Sequence, residues 1–243
     1  LIWSLKSASA RRFRPVAIAA AFVLVLQFVL GGKPYYAGAA FTFLFAGGAV
    51  PVEAWIARRG AARARRSSSR RGRLLAMAML GSFGLSLVVA LPVLPAAALS
   101  RVPLQKINYD LAETIGWPKL VGLVAHEYDT LPASTRQQTA IVTGNYGEAG
   151  AIDRYGATYR LPQAYSGQNN FWLWGPPPAV DRSAVAVNVD PAVLEAEFAH
   201  VRKVATFSNG LGVSDDEEGV AIYIVSGLRS SWAKSWQAFR HYD

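Results

Sequence analysis

With 243 residues, the chain has room for one sizeable domain and a few membrane spans. It has no cysteine, which excludes a disulfide framework and a thiolate metal centre. Its net charge of +9 resolves into +12 over residues 1–99 and −3 over residues 100–243, so the basic residues flank apolar runs and nucleic acid is excluded as a partner.

The chain opens at Leu1, and residues 1–5 run straight into charge with no signal-peptide cleavage pattern. They read as the end of an upstream helix. Lys6, Arg11, Arg12 and Arg14 precede the first apolar run, Val16–Leu30. Gly31-Gly32-Lys33-Pro34-Tyr35-Tyr36 joins it to a second run, Ala37–Ile56. Glycines and proline break the helix there, which puts Lys33 at a membrane surface. A lone cation beside Tyr35 and Tyr36 suits a lipid phosphate. The same residues also suit an interfacial anchor, with lysine snorkelling and tyrosine at headgroup level.

An arginine- and serine-rich run, residues 58–73, leads to the third apolar run, Leu74–Leu99, in which Pro92 and Pro95 end the helix early. The expected spans cover about 15–32, 36–57 and 74–95 of a transmembrane region 1–100. Counting Lys and Arg in short loops places residues 6–14 and 58–73 in the cytoplasm. Lys33 and everything after Leu99 then lie outside. The run 58–73 reads as a solvated loop touching anionic lipid. Glu53 reads as a snorkelling or helix-paired group, and Gly38, Gly47 and Gly48 permit close helix packing.

Residues 101–243 read as an extracytoplasmic layered α/β domain with a partly parallel sheet. A linker over Arg101–Ile115 precedes a helix at Trp117–Tyr128, with Pro118 in its first turn. Strands are expected at Thr139–Thr143, Gln163–Ser166, Ala184–Val189, Val201–Ser208 and Val220–Val225. Helices are expected at Glu148–Tyr155 and Pro191–Ala199, the second opened by Asp190-Pro191, with a last one behind Ser231.

Three stretches in this half bear on chemistry. Thr143-Gly-Asn-Tyr-Gly-Glu-Ala-Gly150 sits between strand and helix, where a phosphate can rest on free amides. Its glycine spacing is not the dinucleotide pattern, and Glu148 opposes an anion, so a tight turn explains it better. Tyr165-Ser-Gly-Gln-Asn-Asn-Phe-Trp-Leu-Trp-Gly-Pro-Pro-Pro178 combines rings that stack on sugars with amides that bond hydroxyls. The same rings also serve as core. Its candidate contact residues are Tyr165, Gln168, Asn169, Asn170, Trp172 and Trp174. The acidic run 215–218 reads as a solvated turn rather than a divalent-cation loop, and the scattered His126, His200 and His241 make no metal spacing. No metal site is assigned, and a divalent-cation requirement stays open.

Together, Gly-Gly-Lys-Pro-Tyr-Tyr and these two glycine-containing motifs resemble the C-terminal part of bacterial multi-pass GT-C glycosyltransferases. These are relatives of protein O-mannosyltransferases (glycosyltransferase family 39-like) and of the lipid A aminoarabinose transferase. The pattern departs from that family in three places: Gln168 stands where histidine is frequent, Pro51 comes late in its helix, and Asp216 replaces a frequent asparagine. The resemblance implies transfer from a polyprenyl-phosphate-linked sugar on the outer face of the cytoplasmic membrane, to a glycan, lipid or protein acceptor. It implies that Lys33, with Tyr35 and Tyr36, lies near the lipid phosphate. It also implies that the catalytic carboxylate belongs to an external loop upstream of these residues. An acid or base within this chain would be sought first at Glu148 and Asp153. The alternative is a non-catalytic, membrane-anchored glycan-binding module.

Overall fold

The computed structural model describes residues 1–31, 34–57, 64–91, 93–101 and 109–242. The helical first part comprises α1 (Ile2–Lys6), α2 (Arg14–Val29), α3 (Gly38–Ala57), α4 (Ala64–Ala90) and α5 (Ala96–Leu99). It is followed by α6 (Trp117–Asp129), α7 (Ala133–Arg136), β1 (Thr139–Thr143), α8 (Tyr146–Tyr155), β2 (Ala164–Ser166) and β3 (Ser183–Val187). Last come α9 (Pro191–Glu197), β4 (Phe198–Thr206), β5 (Ala221–Leu228) and α10 (Trp232–Ser235). The chain divides into two compact units, Leu1–Leu85 and Ser86–Asp243.

Three helical stretches, Arg11–Val29, Gly38–Trp55 and Gly72–Ala90, are long and apolar enough to cross a membrane. In the first unit the small side chains are inside and the large ones outside. Ala17, Ala20, Ala37 and Ala40 are buried, whereas Phe22, Phe28 and Phe45 are exposed. Small residues let helices approach closely, and exposed phenylalanine suits a hydrocarbon solvent. Pro15 enters at the first turn of α2, where a missing N–H costs no hydrogen bond. Gly31, at φ +63°, follows the end of that helix.

The basic run differs from the expected loop. Residues 64–73 belong to α4, and residues 58–63 lie outside the described ones. The run contains no proline, and adding a residue to an existing helix is far easier than starting one. The apolar helix of the third span therefore extends into its polar flank.

The second unit holds a five-stranded sheet of order β2-β1-β3-β5-β4. β2, β1 and β3 are parallel, β5 is antiparallel to β3, and β4 is antiparallel to β5. The carboxyl ends of β1 to β4 and the amino end of β5 thus share one edge. β1 and β3 are buried along their whole length, as central strands covered on both faces must be. On one face α6 and α8 bring Leu120, Val124 and Ile152 against Ile141, Val185 and Ile222. On the other, Leu194 of α9 joins Trp232, Trp236 and Phe239 against Val142, Ala186 and Val225.

α9 ends at Glu197, short of the expected Ala199, because Phe198 already opens β4. Phe198 pairs with Leu228 and meets the Trp232 ring edge-on at 5.8 Å. This buried contact outweighs the helical pattern of the preceding residues.

Two glycines allow the backbones at the carboxyl edge to touch. A methyl group at Gly144 would lie 1.9 Å from the Asn188 carbonyl oxygen, and one at Gly167 would lie 1.9 Å from that of Phe239. Gly150, inside α8, has open space around it. Gly144→Ala and Gly167→Ala are each expected to destabilise by about 1–3 kcal/mol or more. Gly150→Ala is expected to stabilise by roughly 0.5–1 kcal/mol. Thermal unfolding followed by circular dichroism ranks the three, and a Gly144→Ala variant as stable as the parent would contradict the close approach.

Candidate functional site

The carboxyl edge of the sheet gathers the polar side chains that the fold does not need for its faces. β1 leads through Gly144 and Asn145 into α8 on one face, and β3 leads through Asn188 and Asp190 into α9 on the other. Connections that leave neighbouring parallel strands for opposite faces open a crevice between them, and α/β sheets bind ligands there. Here the crevice holds a cavity of about 330 Å³, lined by Thr143, Gly144, Asn188, Asp190, Phe239 and His241 among others.

The start of α8 is a capping box. Asn145 Oδ1 accepts the Gly147 N–H at 2.6 Å, and Glu148 Oε2 accepts the Asn145 N–H at 3.0 Å. Tyr146 N–H donates to Gln168 Oε1 at 2.9 Å, which ties this turn to the one after β2. Glu148 is fully buried, and its Oε1 has no hydrogen-bond partner. Burial pushes its pKa up to about 8, although the Asn145 N–H and the Asn188 amide favour the ionised form.

The loop between β4 and β5 brings further carboxyl groups to the same edge. Glu217 is buried, with Oε2 unpartnered, and its pKa is pushed to about 8. Burial is the main cause, followed by Glu113, with which it shares a hydrogen bond, and by the charges of Glu148 and Asp215. Glu113 Oε1 accepts the Asp216 N–H at 3.1 Å. Asp215 accepts from Glu218 N–H at 2.7 Å and from the Asn209 side-chain amide at 3.0 Å. Burial raises its pKa. Glu218 is the exception: the Ser208 hydroxyl and the Asn209 N–H hold its pKa low. Tyr109 has its hydroxyl pKa raised by burial and then by hydrogen bonds to Asp216 and Glu113.

The acidic run 215–218 is only half the solvated turn its composition suggests: Asp216 and Glu218 are exposed, but the other two acids are not. The Asn209 amide bonds both the Val213 carbonyl and Asp215, and these bonds draw the loop inwards. Asp215 and Glu217 end up buried. Among the described residues, no group of three or more His, Asp or Glu is placed to hold a metal ion. The arrangement presents two buried carboxyl groups whose protonated, hydrogen-bond-donating form is favoured by burial.

The residues singled out from the sequence separate into distinct environments. Lys33 lies outside the described residues; Tyr35 and Tyr36 belong to a short 3-10 turn, Pro34–Ala37, in which Tyr36 is exposed. Tyr165 sits on β2, half-buried against the second core face. Gln168 is buried on the capping turn. Asn169 takes a left-handed conformation, with φ +53°, and donates its N–H to the His241 carbonyl at 2.9 Å. Asn170 is exposed.

Trp172 is a packing residue. Its indole N–H donates to the Trp236 carbonyl at 3.0 Å, and the Trp236 indole returns the bond at 3.1 Å. The Arg240 guanidinium lies 4.5 Å from its ring centre. Trp174, by contrast, is 73 % exposed and touches Phe171, ring centres 4.3 Å apart. Asp153 is structural too, since its Oδ1 accepts the Ala164 N–H at 2.9 Å. Sequence reasoning missed Glu113 and Asn188 and read Glu217 as part of a solvated turn, because their meeting depends on chain segments far apart. Glu148 carried a readable signal, three residues beyond Asn145 at a helix start. No family model, curated protein or solved structure matches this chain.

The raised carboxyl pKa values carry a signed consequence. Between the ordinary carboxyl range, near 4.5, and about 8, the folded state holds protons at Glu148 and Glu217 that the unfolded state has lost. Stability should therefore be greatest at low pH with respect to these groups, fall as pH rises towards 8, and level off above. Glu148→Gln keeps the acceptor for Asn145 and removes the titration. Its melting temperature should exceed that of the parent at pH 8–9 and lose part of the pH slope, with a free-energy difference of the order of a few kcal/mol.

Proposed function

We propose that this chain works within a membrane glycosyltransferase that moves a sugar from a polyprenyl-phosphate donor to an acceptor on the outer face of the cytoplasmic membrane. The observation that carries the reading is the hydrogen bond from Tyr146 N–H to Gln168 Oε1. Through it the two soluble motifs on which the resemblance rests, 143–150 and 165–178, form one unit at the ligand-binding edge of the sheet. The three membrane-crossing helices suit a donor that is itself a lipid.

In this reading Lys33, flanked by Tyr35 and Tyr36, holds the donor phosphate. A cation fixed there stabilises the negative charge that grows as the sugar leaves. The carboxylate that activates the acceptor comes from outside these residues, and Glu148 and Glu217 shape the extracytoplasmic domain. Acceptor contact falls to Asn170 and Trp174, which are exposed, and not to Trp172. A glycan-binding module without catalysis is the second reading, favoured by the same exposed indole.

Transfer of a radiolabelled sugar from a polyprenyl-phosphate donor, measured in membranes bearing the native protein, tests the proposal. Transfer no greater than in control membranes, with glycan binding retained, would select the binding module. Lys33→Ala should lower the rate about 10- to 150-fold, the loss of a charged hydrogen bond worth roughly 1.5–3 kcal/mol, and Lys33→Arg should recover part of it. Trp172→Ala should destabilise by about 3–5 kcal/mol. Trp174→Ala should leave the melting temperature in place while lowering transfer, and unchanged transfer at matched expression would remove it from the acceptor site.

A further inference from the structure

We propose that the carboxyl edge of the sheet is the surface with which the α/β unit meets the lipid headgroups of the bilayer. The inference does not depend on the transferase reading. It starts from residues within this one unit. Ser86–Ala90 close the third candidate span, Gly72–Ala90, and belong to the same compact unit as the sheet. Leu94 and Leu99 follow directly and pack with Ala112, Ile115 and Val213.

Those three partners lie at the carboxyl edge. Val213 is in the loop that leaves the carboxyl end of β4 and enters β5, and Ile115 immediately precedes the start of α6. Gly116 sits against Phe207, the residue after β4, and Gly147, at the start of α8, sits against Trp117. Leu94 is four residues beyond the end of the span, at most about 14 Å of extended chain. The headgroup layer itself is roughly 5–8 Å deep on each side. The carboxyl edge is thereby held at or just above the headgroups. The opposite edge of the sheet lies one strand length from the carboxyl edge, about 17 Å for a five-residue strand.

The side chains on this edge suit that position. Tyr146 is 50 % exposed at the start of α8, and Leu211 is 37 % exposed in the loop between β4 and β5. Tyrosine concentrates at membrane interfaces because its ring is apolar and its hydroxyl stays wet. Burial raises the pKa of Glu148 and Glu217 and so reduces their contribution to the charge of this edge, while Asp190, Asp216 and Glu218 remain exposed there.

The absence of cysteine makes a direct test simple. Single cysteines at Tyr146 and Leu211 report the carboxyl edge. Cysteines at Tyr155, at the end of α8, and at Val180, just before β3, report the opposite edge; all four positions are exposed. Each full chain carries a nitroxide and is reconstituted into vesicles of phosphatidylcholine and phosphatidylglycerol. Collision with oxygen, which enters lipid, is compared with collision with a water-soluble nickel chelate. The proposal expects a higher oxygen-to-nickel ratio at Tyr146→Cys and Leu211→Cys than at Tyr155→Cys and Val180→Cys. Equal aqueous ratios at all four sites would overturn it, as would lipid-like ratios at the opposite edge. Low collision with both reagents at the carboxyl edge would mean that protein covers it instead, and would also overturn the proposal.

Discussion

The soluble half of this protein depends on the approach of two backbone turns, the one leaving β1 and the one leaving β3. Gly144 N–H donates to the Val187 carbonyl at 2.8 Å, and the Asn188 N–H donates to the Ala221 carbonyl at 3.0 Å. These bonds continue the sheet one step beyond its strands and leave no space for a side chain at position 144. Asn188 takes the left-handed conformation, φ +56°, which turns the chain towards α9. From these turns α8 and α9 leave on opposite faces. The crevice, the capping box and the position of Glu148 follow from that single contact.

A buried carboxyl group is costly when ionised, so the edge contains an internal compromise. Glu148 serves the helix start, where a negative group is ordinarily favoured by the helix dipole. Full burial works against that charge and dominates, because desolvation grows steeply where no water remains. Glu217 meets the same opposition with Glu113 beside it, and one proton between two carboxyl groups relieves the repulsion. The loop holding Asp215 to Glu218 is fastened by the Asn209 amide.

How far this was legible in the sequence follows from the range of each interaction. Thr139–Thr143 is a β-branched run closed by glycine, and the strand has those bounds. Asp190-Pro191 marks a helix start, and Asp190 Oδ1 accepts the Ala192 N–H at 2.8 Å. The three spans are written in continuous apolar residues, and the layered, partly parallel α/β sheet in alternating elements. What composition could not show is set by distant partners. Glu113 and Glu217 are about a hundred residues apart, and a run of four acids looks solvated until Asn209 is seen holding it inwards. Phe198 likewise reads as helix end until Leu228 and Trp232 are placed beside it.

The two tryptophans of the aromatic motif show how a local repeat decides which side chain remains free. Residues 169–174 form a 3-10 turn, in which positions three apart lie on the same side. Phe171 and Trp174 obey that spacing and meet with their ring planes tilted by 47°. Trp172 is rotated away from them by one third of a turn, which sends it into the core to exchange hydrogen bonds with Trp236. The two indoles are divided: the bonded one anchors the segment to the C-terminal residues, and the unbonded one lies outward against Phe171. A ring held this way loses little conformational freedom on meeting a partner, the condition under which one exposed aromatic contributes most to recognition.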